Sequence, residues 1–481
     1  MFKNLIWDLA GKTGIYLVVI LVSLVLTRVL EPREFGIAGI AMVLIFFSSL
    51  FLDLGFNRAL IQQKEVNEVI YSSVFWLNIL LAAFFALLFF LLSGPVSVFF
   101  NYPELSPVLK VLAIPVIFNG LSVLPSAILT RQMKFRQLSF TGIISAIISG
   151  AAGIALAING YGVWSLVIQY VIASFVAAVL YFYFAKWRPL FKIKPNFSVI
   201  KPLWIYGSRL FFSSLLNNLV TRLDIFIIGK YFNVNTLGFY TRAQSIDNLI
   251  RTISSSSITS VFFTAAARLQ DEREGLLDLY KRYLHLISFV AVGLSGLFYL
   301  IVPDIFRYLF TAKWDTAAQY FQLMAVIGFA WPVSSLMVSV ISGVGNSKAF
   351  LKVEIIKTII LLSALILLFK GGIVFFLWMM VGVRILLVCC NAYFVSKELV
   401  ITVWNQLKVV FIYLSLALVA VIIVKLVFSF SLENNNFLNA AILFSAYGLL
   451  YIAFQFIFKT TASREMFFFY QKIFLKNTAL R

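Results

Sequence analysis

The chain has 481 residues, of which 62% are hydrophobic and 12% are charged. Soluble domains carry about 25% charged residues, so this composition excludes a soluble protein and indicates one that crosses a membrane many times. The net charge of +20 does not indicate a nucleic-acid-binding protein, because the basic residues lie in short loops between apolar segments.

Transmembrane helices are the predicted elements, because the apolar segments run continuously for about 20 residues instead of alternating over about 10. We predict an all-α polytopic membrane protein with about 14 transmembrane helices. The spans are expected near 13–30, 36–60, 70–100, 106–129, 138–158, 163–185, 206–231, 236–263, 283–302, 318–343, 351–369, 373–395, 408–428 and 438–458. Most of the 39 lysines and arginines fall at the two ends and in alternate loops, which predicts that both termini are cytoplasmic.

An internal repeat divides the chain into two halves. Segments 30–36 (LEPREFG) and 232–238 (FNVNTLG) each join two spans and are offset by 202 residues. Residues 161–163 and 371–373 correspond with a similar offset of 210. Since six spans separate the copies, the halves are expected to have the same orientation and a site at their interface.

The repeat predicts four regions. Two pseudo-symmetric six-helix lobes occupy residues 1–186 and 206–397, and a basic cytoplasmic linker, 187–205, joins them. Residues 398–481 contain two extra helices and a basic cytoplasmic tail. The linker is expected to lie on an anionic leaflet, because its lysines and arginines attract acidic lipids.

Charged residues inside the seventh and eighth spans are the strongest functional signal. A charge at the centre of a membrane helix costs roughly 2.5–3.5 kcal/mol, so such residues usually face a bundle interior or a water-filled cavity. Three cations are predicted to bind an anionic group, and three carboxylates are predicted to couple an ion or pair with the cations. They are Arg222, Arg242 and Arg251, and Asp53, Asp224 and Asp247.

Structural roles compete with these functional ones. Asp247 and Arg251 stand at i and i+4 and can pair with each other. Arg222 can neutralise a carboxylate, Arg58 can extend to the interface, and the eighth span can instead be an interfacial helix. Weaker candidates for the cavity are Glu354, Lys357 and Arg384, of which the first two are expected to neutralise each other.

Signals of catalysis are absent from the sequence. It contains no Walker loop, no GxSxG elbow and no HExxH, and no predicted extramembrane loop is long enough to hold a catalytic domain. Cys389 and Cys390 lie in one apolar segment, and the single histidine, His285, is expected to be a helix-end residue, so no metal site is indicated. We expect no enzyme activity and no cofactor.

Five segments resemble bacterial polysaccharide and O-antigen repeat-unit flippases, of the branch that exports colanic acid and related lipopolysaccharides. They are 51–64 (FLDLGFNRALIQQK), 73–78 (SVFWLN), 26–36 (LTRVLEPREFG), 222–230 (RLDIFIIGK) and 237–240 (LGFY). That family belongs to the multidrug/oligosaccharidyl-lipid/polysaccharide superfamily. The resemblance covers about residues 5–460.

This resemblance implies two six-helix lobes around a central cavity, with two extra helices. It implies alternating access driven by an H⁺ or Na⁺ gradient or by membrane potential. The implied substrate is a polyprenyl-pyrophosphate oligosaccharide, moved to the outer leaflet of the bacterial inner membrane for surface polysaccharide or lipopolysaccharide biosynthesis. Membrane lipids, a polysaccharide polymerase and assembly proteins are the implied partners.

Site roles follow from that substrate. Pyrophosphate is bound well by cations in a low-dielectric cavity, and hydrogen-bonding side chains suit the sugars. The sugar-contacting candidates are Asn217, Asn218, Gln244 and Asn248. A related lipid II flippase uses arginines of helices 1, 2 and 8; here helix 1 has only Arg28, at its end, so Arg28 and Arg58 are assigned to a gate or an interface.

Two alternatives from other classes remain. An ion-coupled multidrug antiporter of the same superfamily would favour an acidic cavity, whereas the predicted cavity is basic. A polytopic polysaccharide polymerase or glycosyltransferase would be expected to have a long outer loop with catalytic residues, and the loops here are short.

Overall fold

Helices joined by short turns make up nearly all of the described chain, so the predicted all-α fold is confirmed. The computed structural model describes residues 2–63, 66–190, 201, 204, 208, 211, 215, 222–269, 272–344, 346–367, 371–428 and 436–464. Helices are expected in lipid because they satisfy every backbone hydrogen bond within one segment.

Seven helices and one shorter helical segment precede the second copy of the repeat. They are α1 (Phe2–Val29), α2 (Pro32–Asp53), α3 (Phe56–Gln62), α4 (Glu68–Phe100), α5 (Leu105–Arg131), α6 (Phe135–Ile158), α7 (Val163–Ala185) and the helical segment 222–231.

Eight further helices follow. They are α8 (Val234–Arg268), α9 (Arg273–Phe310), α10 (Asp315–Val326), α11 (Ala330–Gly343), α12 (Ser347–Leu367), α13 (Ile373–Leu399), α14 (Val403–Val427) and α15 (Asn436–Ile457), with a 3-10 turn at Ala312–Trp314.

Local sequence explains where several of these helices begin. Pro32 occupies the first turn of α2, where its missing N–H is not needed, and Glu31 and Glu34 form a capping box there. The side chain of Asn67 caps α4 by accepting a hydrogen bond of 2.9 Å from the backbone N–H of Ile70.

Two predicted spans are interrupted. The span expected at 36–60 is wrong at its end, because Leu54 and Gly55 adopt left-handed backbone and α2 stops at Asp53. The span expected at 318–343 is divided into α10 and α11. Pro332 explains that break, since its ring clashes with the carbonyl four residues earlier, at Gly328.

Eleven helical stretches of the described residues are long and apolar enough to span a bilayer. Three predicted spans are not among them. The span at 206–231 lies mostly outside the described residues, while α8 and α12 form helices that carry several charges. The total of fourteen therefore stays a prediction.

Backbone contacts divide the chain into two compact units, Met1–Thr241 and Arg242–Arg481. This division falls inside α8, eight residues after its start. The predicted lobes 1–186 and 206–397 stay a prediction, because most of the linker 187–205 lies outside the described residues. The tail beyond residue 464 also lies outside them.

In the first unit, the turn between α4 and α5 connects three elements. Arg33, in the first turn of α2, forms an ion pair of 2.6 Å with Glu104. The Tyr102 hydroxyl donates a hydrogen bond of 3.1 Å to the backbone oxygen of Phe232, just after the helical segment 222–231. These contacts fix that segment against α2 and the α4–α5 turn.

In the second unit, α9 packs against α14 and α15 through aromatic and polar contacts. Gly296 and Gly293 leave room for the rings of Tyr447 and Tyr451, both on α15. His285 lies in the interior of α9 and not at its end, which corrects the prediction. Its Nδ1 is 3.0 Å from the Tyr413 hydroxyl of α14.

Candidate functional site

The two copies of the internal repeat touch each other where α2 and α8 begin. A Cβ on Gly36 would collide with the backbone oxygen of Val234, and one on Gly238 would collide with that of Pro32. Since Gly36 corresponds to Gly238 and Pro32 to Val234, the two contacts are reciprocal, as in a two-fold interface. Both glycines are therefore required for this close approach of backbones.

Asp224, in the helical segment 222–231, is buried and accepts hydrogen bonds on both carboxylate oxygens. Oδ2 accepts from the hydroxyl of Tyr240, on α8. Oδ1 accepts from the backbone N–H of Ile225 at 2.8 Å. Because bonds to a charged acceptor are worth about 1.5–3 kcal/mol, this carboxylate stabilises the contact between the segment and the start of α8.

Arg222 is half-buried, and its guanidinium carbon lies 4.8 Å from the ring centroid of Phe46, on α2. An aromatic face attracts a cation without accepting its N–H bonds, which point outward in the guanidinium plane. Arg222 is thus held in place by a contact that leaves its donors suited to an anion.

Arg242, on α8, is held in a similar way within the second unit. Its guanidinium carbon lies 4.8 Å from the ring centroid of Phe310, at the end of α9. Only 8% of Arg242 is exposed, and Phe310 is buried as well. A cation this deep in an apolar helix bundle attracts any anion that enters, because water screens the charge weakly there.

Asp247 and Arg251 form an ion pair one turn apart on α8. Their side chains are 5% and 11% exposed. Mutual neutralisation explains how two charged residues fit into one apolar span. It also lowers the net positive charge that α8 presents.

Of the predicted sugar contacts, Gln244 is half-buried and Asn248 is exposed, both on α8. Asn217 and Asn218 lie outside the described residues. The polar residues of α8 therefore span a range from buried to accessible, as expected of a helix that borders an aqueous space.

The candidates of the first six spans are less concentrated. Asp53 ends α2, and its Oδ1 accepts the backbone N–H of Asn57 at 3.2 Å, so it caps the following short helix. Arg28 is exposed in the last turn of α1. The side chain of Arg58 lies outside the described residues.

Three contributing residues were not identified by sequence reasoning. Phe46 and Phe310 pack on arginines that are distant in sequence, and nothing distinguishes them among 51 phenylalanines. Tyr240 stood in the polar stripe of α8, but its bond to Asp224 depends on a tertiary contact. Its place in the LGFY segment was the one available signal.

Comparison with protein families identifies relatives. The sequence profile of the family described as "Polysaccharide biosynthesis protein" matches residues 25–319. The chain is 25% identical over 353 residues to the lipopolysaccharide biosynthesis protein WzxC of Escherichia coli (strain K12), covering 71% of this chain and 70% of WzxC. It is 24% identical over 337 residues to the succinoglycan biosynthesis transport protein ExoT of Rhizobium meliloti (strain 1021), covering 70% of this chain and 65% of ExoT.

Solved structures share the fold. The lipid II flippase MurJ in an inward closed conformation superposes with a TM-score of 0.73 at 16% identity, covering 94% of this chain and 98% of MurJ. An inward-facing multidrug resistance MATE family transporter of the MOP superfamily superposes with a TM-score of 0.61 at 13% identity, covering 82% and 94%. At these identities the likeness establishes a common architecture.

Proposed function

This chain belongs to the polysaccharide biosynthesis protein family, and from that premise we propose that it is a flippase for polyprenyl-pyrophosphate-linked oligosaccharides. It would move repeat units from the cytoplasmic to the outer leaflet of the bacterial inner membrane. The relatives named for lipopolysaccharide biosynthesis and succinoglycan transport, and the flippase fold, support this proposal. It is a carrier rather than an enzyme.

The observation that carries the proposal is the buried cation of α8. Arg242 is 8% exposed and stacks on a buried phenylalanine. Burying an arginine inside an apolar bundle is costly unless an anion or another partner offsets the charge. A pyrophosphate, with its two or more negative charges, fits that requirement, and Arg222 and Arg251 are proposed to assist.

The lipid part of the substrate follows from size. A polyprenyl chain is too long for a closed cavity, so it would remain in the bilayer while the head group passes through the protein. Sugar contacts are assigned to Gln244 and Asn248, and by sequence to Asn217 and Asn218. Both termini are proposed to be cytoplasmic.

Energy coupling is a separate part of the proposal. We assign it to an H⁺ or Na⁺ gradient or to the membrane potential, with support from the fold of multidrug transporters. Asp224, Asp247 and Asp53 are the proposed coupling or pairing groups. Among them Asp247 already neutralises an arginine, which favours a pairing role for that residue.

The test is flipping in proteoliposomes. Purified protein is reconstituted with a fluorescent polyprenyl-pyrophosphate oligosaccharide, and the fraction that reaches the opposite leaflet is measured by quenching. Arg242→Gln is expected to reduce the rate at least tenfold, about the effect of losing one charge-assisted hydrogen bond. Arg33→Gln, which removes an exposed arginine at the start of α2, serves as the matched control and should leave the rate unchanged.

Two further substrates separate the alternatives. The same lipid without sugar tests whether the glycan is required. A cationic dye tests the antiporter reading, for which the buried carboxylates Asp224 and Asp247 are the supporting observation. Dye transport without glycolipid movement would replace the flippase proposal by the antiporter, and equal rates for wild type and Arg242→Gln would remove the role of α8.

A further inference from the structure

A second charged cluster lies in the hairpin of α12 and α13, away from α8. Glu354 and Lys357 are near the middle of α12 (Ser347–Leu367), and Arg384 is near the middle of α13 (Ile373–Leu399). Lys357 and Arg384 are nearly equally far from the connecting turn at 368–372. At 1.5 Å per residue both stand about 20 Å from it, at the same depth.

Exposure shows which way the cluster faces. On α12, Ile355, Ile356 and Ile359 are exposed on one side, as expected of a lipid-facing surface. Glu354 and Lys357 occupy the opposite side of the helix, beside fully buried Val353. The cluster therefore faces the interior of the helix bundle and not the lipid.

On α13 the arrangement is the same. Ile385 and Leu386 are exposed, whereas Arg384 is half-buried and shares a face with buried Val388 and Asn391. The two helices thus direct their charges to one inner side.

The cluster has one positive charge in excess. Lys357 Nζ donates a hydrogen bond of 2.6 Å to Glu354 Oε1, with 18% and 30% of the two side chains exposed. This pair is neutral and keeps access to an aqueous space. Arg384 adds a second cation, so an anion entering at this depth is attracted.

Asn391 provides an independent sign of a ligand. It is completely buried on α13, two turns after Arg384 on the same face. Neither its amide nitrogen nor its amide oxygen has a hydrogen-bond partner among the described residues. Buried amides without partners are rare in proteins, because each lost bond costs about 1–3 kcal/mol.

We propose that the α12–α13 cluster, Glu354, Lys357, Arg384 and Asn391, binds a carboxylate of an acidic sugar in the transported oligosaccharide. The proposal rests on the proposed flippase function. A carboxylate can accept bonds from Lys357 and the bidentate fork of Arg384, while Asn391 supplies a neutral donor for an adjacent hydroxyl.

A pyrophosphate explains the cluster less well. Among the described residues, α12 and α13 pack mainly on each other and on α10, α11 and α14, whereas Arg242 and Arg251 lie on α8. A compact diphosphate is served by one group of cations, and a repeat unit of several sugars reaches further. A membrane phospholipid is excluded by the inward direction of the charges.

The test compares two polyprenyl-pyrophosphate lipids in the same proteoliposomes, one with a neutral trisaccharide and one in which a hexose is replaced by a uronic acid. The measured quantity is the ratio of the acidic to the neutral flipping rate. Arg384→Gln, which makes the cluster neutral, should lower the ratio about tenfold, the effect of one charged hydrogen bond. Glu354→Gln, which makes it doubly positive, should leave the ratio unchanged or raise it.

Lys352→Gln is the matched control, because it removes one exposed lysine from the same helix and should not change the ratio. An unchanged ratio in Arg384→Gln, a reduced ratio in Glu354→Gln, or an equal reduction in Lys352→Gln would each overturn the proposal. If Arg384→Gln does not accumulate, Arg384→Lys keeps the charge and must retain the ratio, and a tenfold fall would again overturn it. Failure of the wild type to move either lipid would contradict the flippase function instead.

Discussion

Substituting Gly238 by alanine tests the contact between the two repeat copies. The added Cβ would collide with the backbone of Pro32, whose carbonyl oxygen and carbonyl carbon are the nearest atoms. A flexible side chain could move aside, but a proline in the first turn of α2 has fixed φ and cannot. Relief therefore requires α2 and α8 to move apart.

The size of the effect follows from a matched control. Gly448, inside α15, has nothing within 4 Å of an added Cβ. Both substitutions gain the same helix propensity, so it cancels in the comparison and the overpacking cost of about 1–3 kcal/mol remains. In a unit of 241 residues each kcal/mol lowers Tm by about 2–4 °C, so Gly238→Ala should melt about 2–10 °C below Gly448→Ala.

The assay is the fraction of protein that stays monodisperse after heating in detergent, measured by size-exclusion chromatography. Gly36→Ala should behave like Gly238→Ala, since its Cβ would meet the backbone oxygen of Val234. If Gly238→Ala and Gly448→Ala lose monodispersity at the same temperature, the reasoning about backbone contact is refuted.

Three further substitutions test individual contacts. Asp247→Asn removes the partner of the arginine one turn later and should lower Tm more than the double variant that neutralises both; equal losses would show that the pair adds nothing. Tyr240→Phe removes a donor to buried Asp224 and should cost about 1.5–3 kcal/mol in thermal unfolding, against no loss for an exposed Tyr→Phe change. The hydrogen bond from Arg33 lowers the pKa of Glu104 below its ordinary 4.5, so its stabilisation is complete above that pH and is lost as the pH falls through the lowered value. Because both side chains are about half exposed, the Tm advantage of wild type over Glu104→Gln should correspond to under about 1 kcal/mol and shrink in acid and in high salt; an advantage that grows in acid would contradict the pairing.

The sequence predicted the class of the fold because lipid permits few alternatives. Continuous apolar segments determine helices, and the repeat at Gly36 and Gly238 identified two positions that do meet in space. Helix ends were predicted less well. Gly55 and Pro332 carry the signals that end α2 and divide α10 from α11, but hydropathy alone does not register a turn inside an apolar segment.

The site was predicted in its charges and not in its contacts. Arginine and aspartate are conspicuous in apolar spans, so Arg242 and Asp224 could be selected from sequence. The partners that hold them, Phe310 and Tyr240, are ordinary apolar or amphipathic residues whose role depends on which helices are neighbours. That information resides in tertiary packing, which a single sequence does not specify residue by residue.

The contact between Gly39 and Thr241 has a consequence for how the two halves can diverge. These residues occupy equivalent positions of the repeat, and a Cβ on Gly39 would lie 2.9 Å from Cγ2 of Thr241. Because each position meets its own counterpart, the two share a single small volume, and a larger residue in one copy requires a smaller residue in the other. The halves are thus not interchangeable modules: a chimera that took both positions from the same copy would place two threonines in space that holds one, or two glycines around a void.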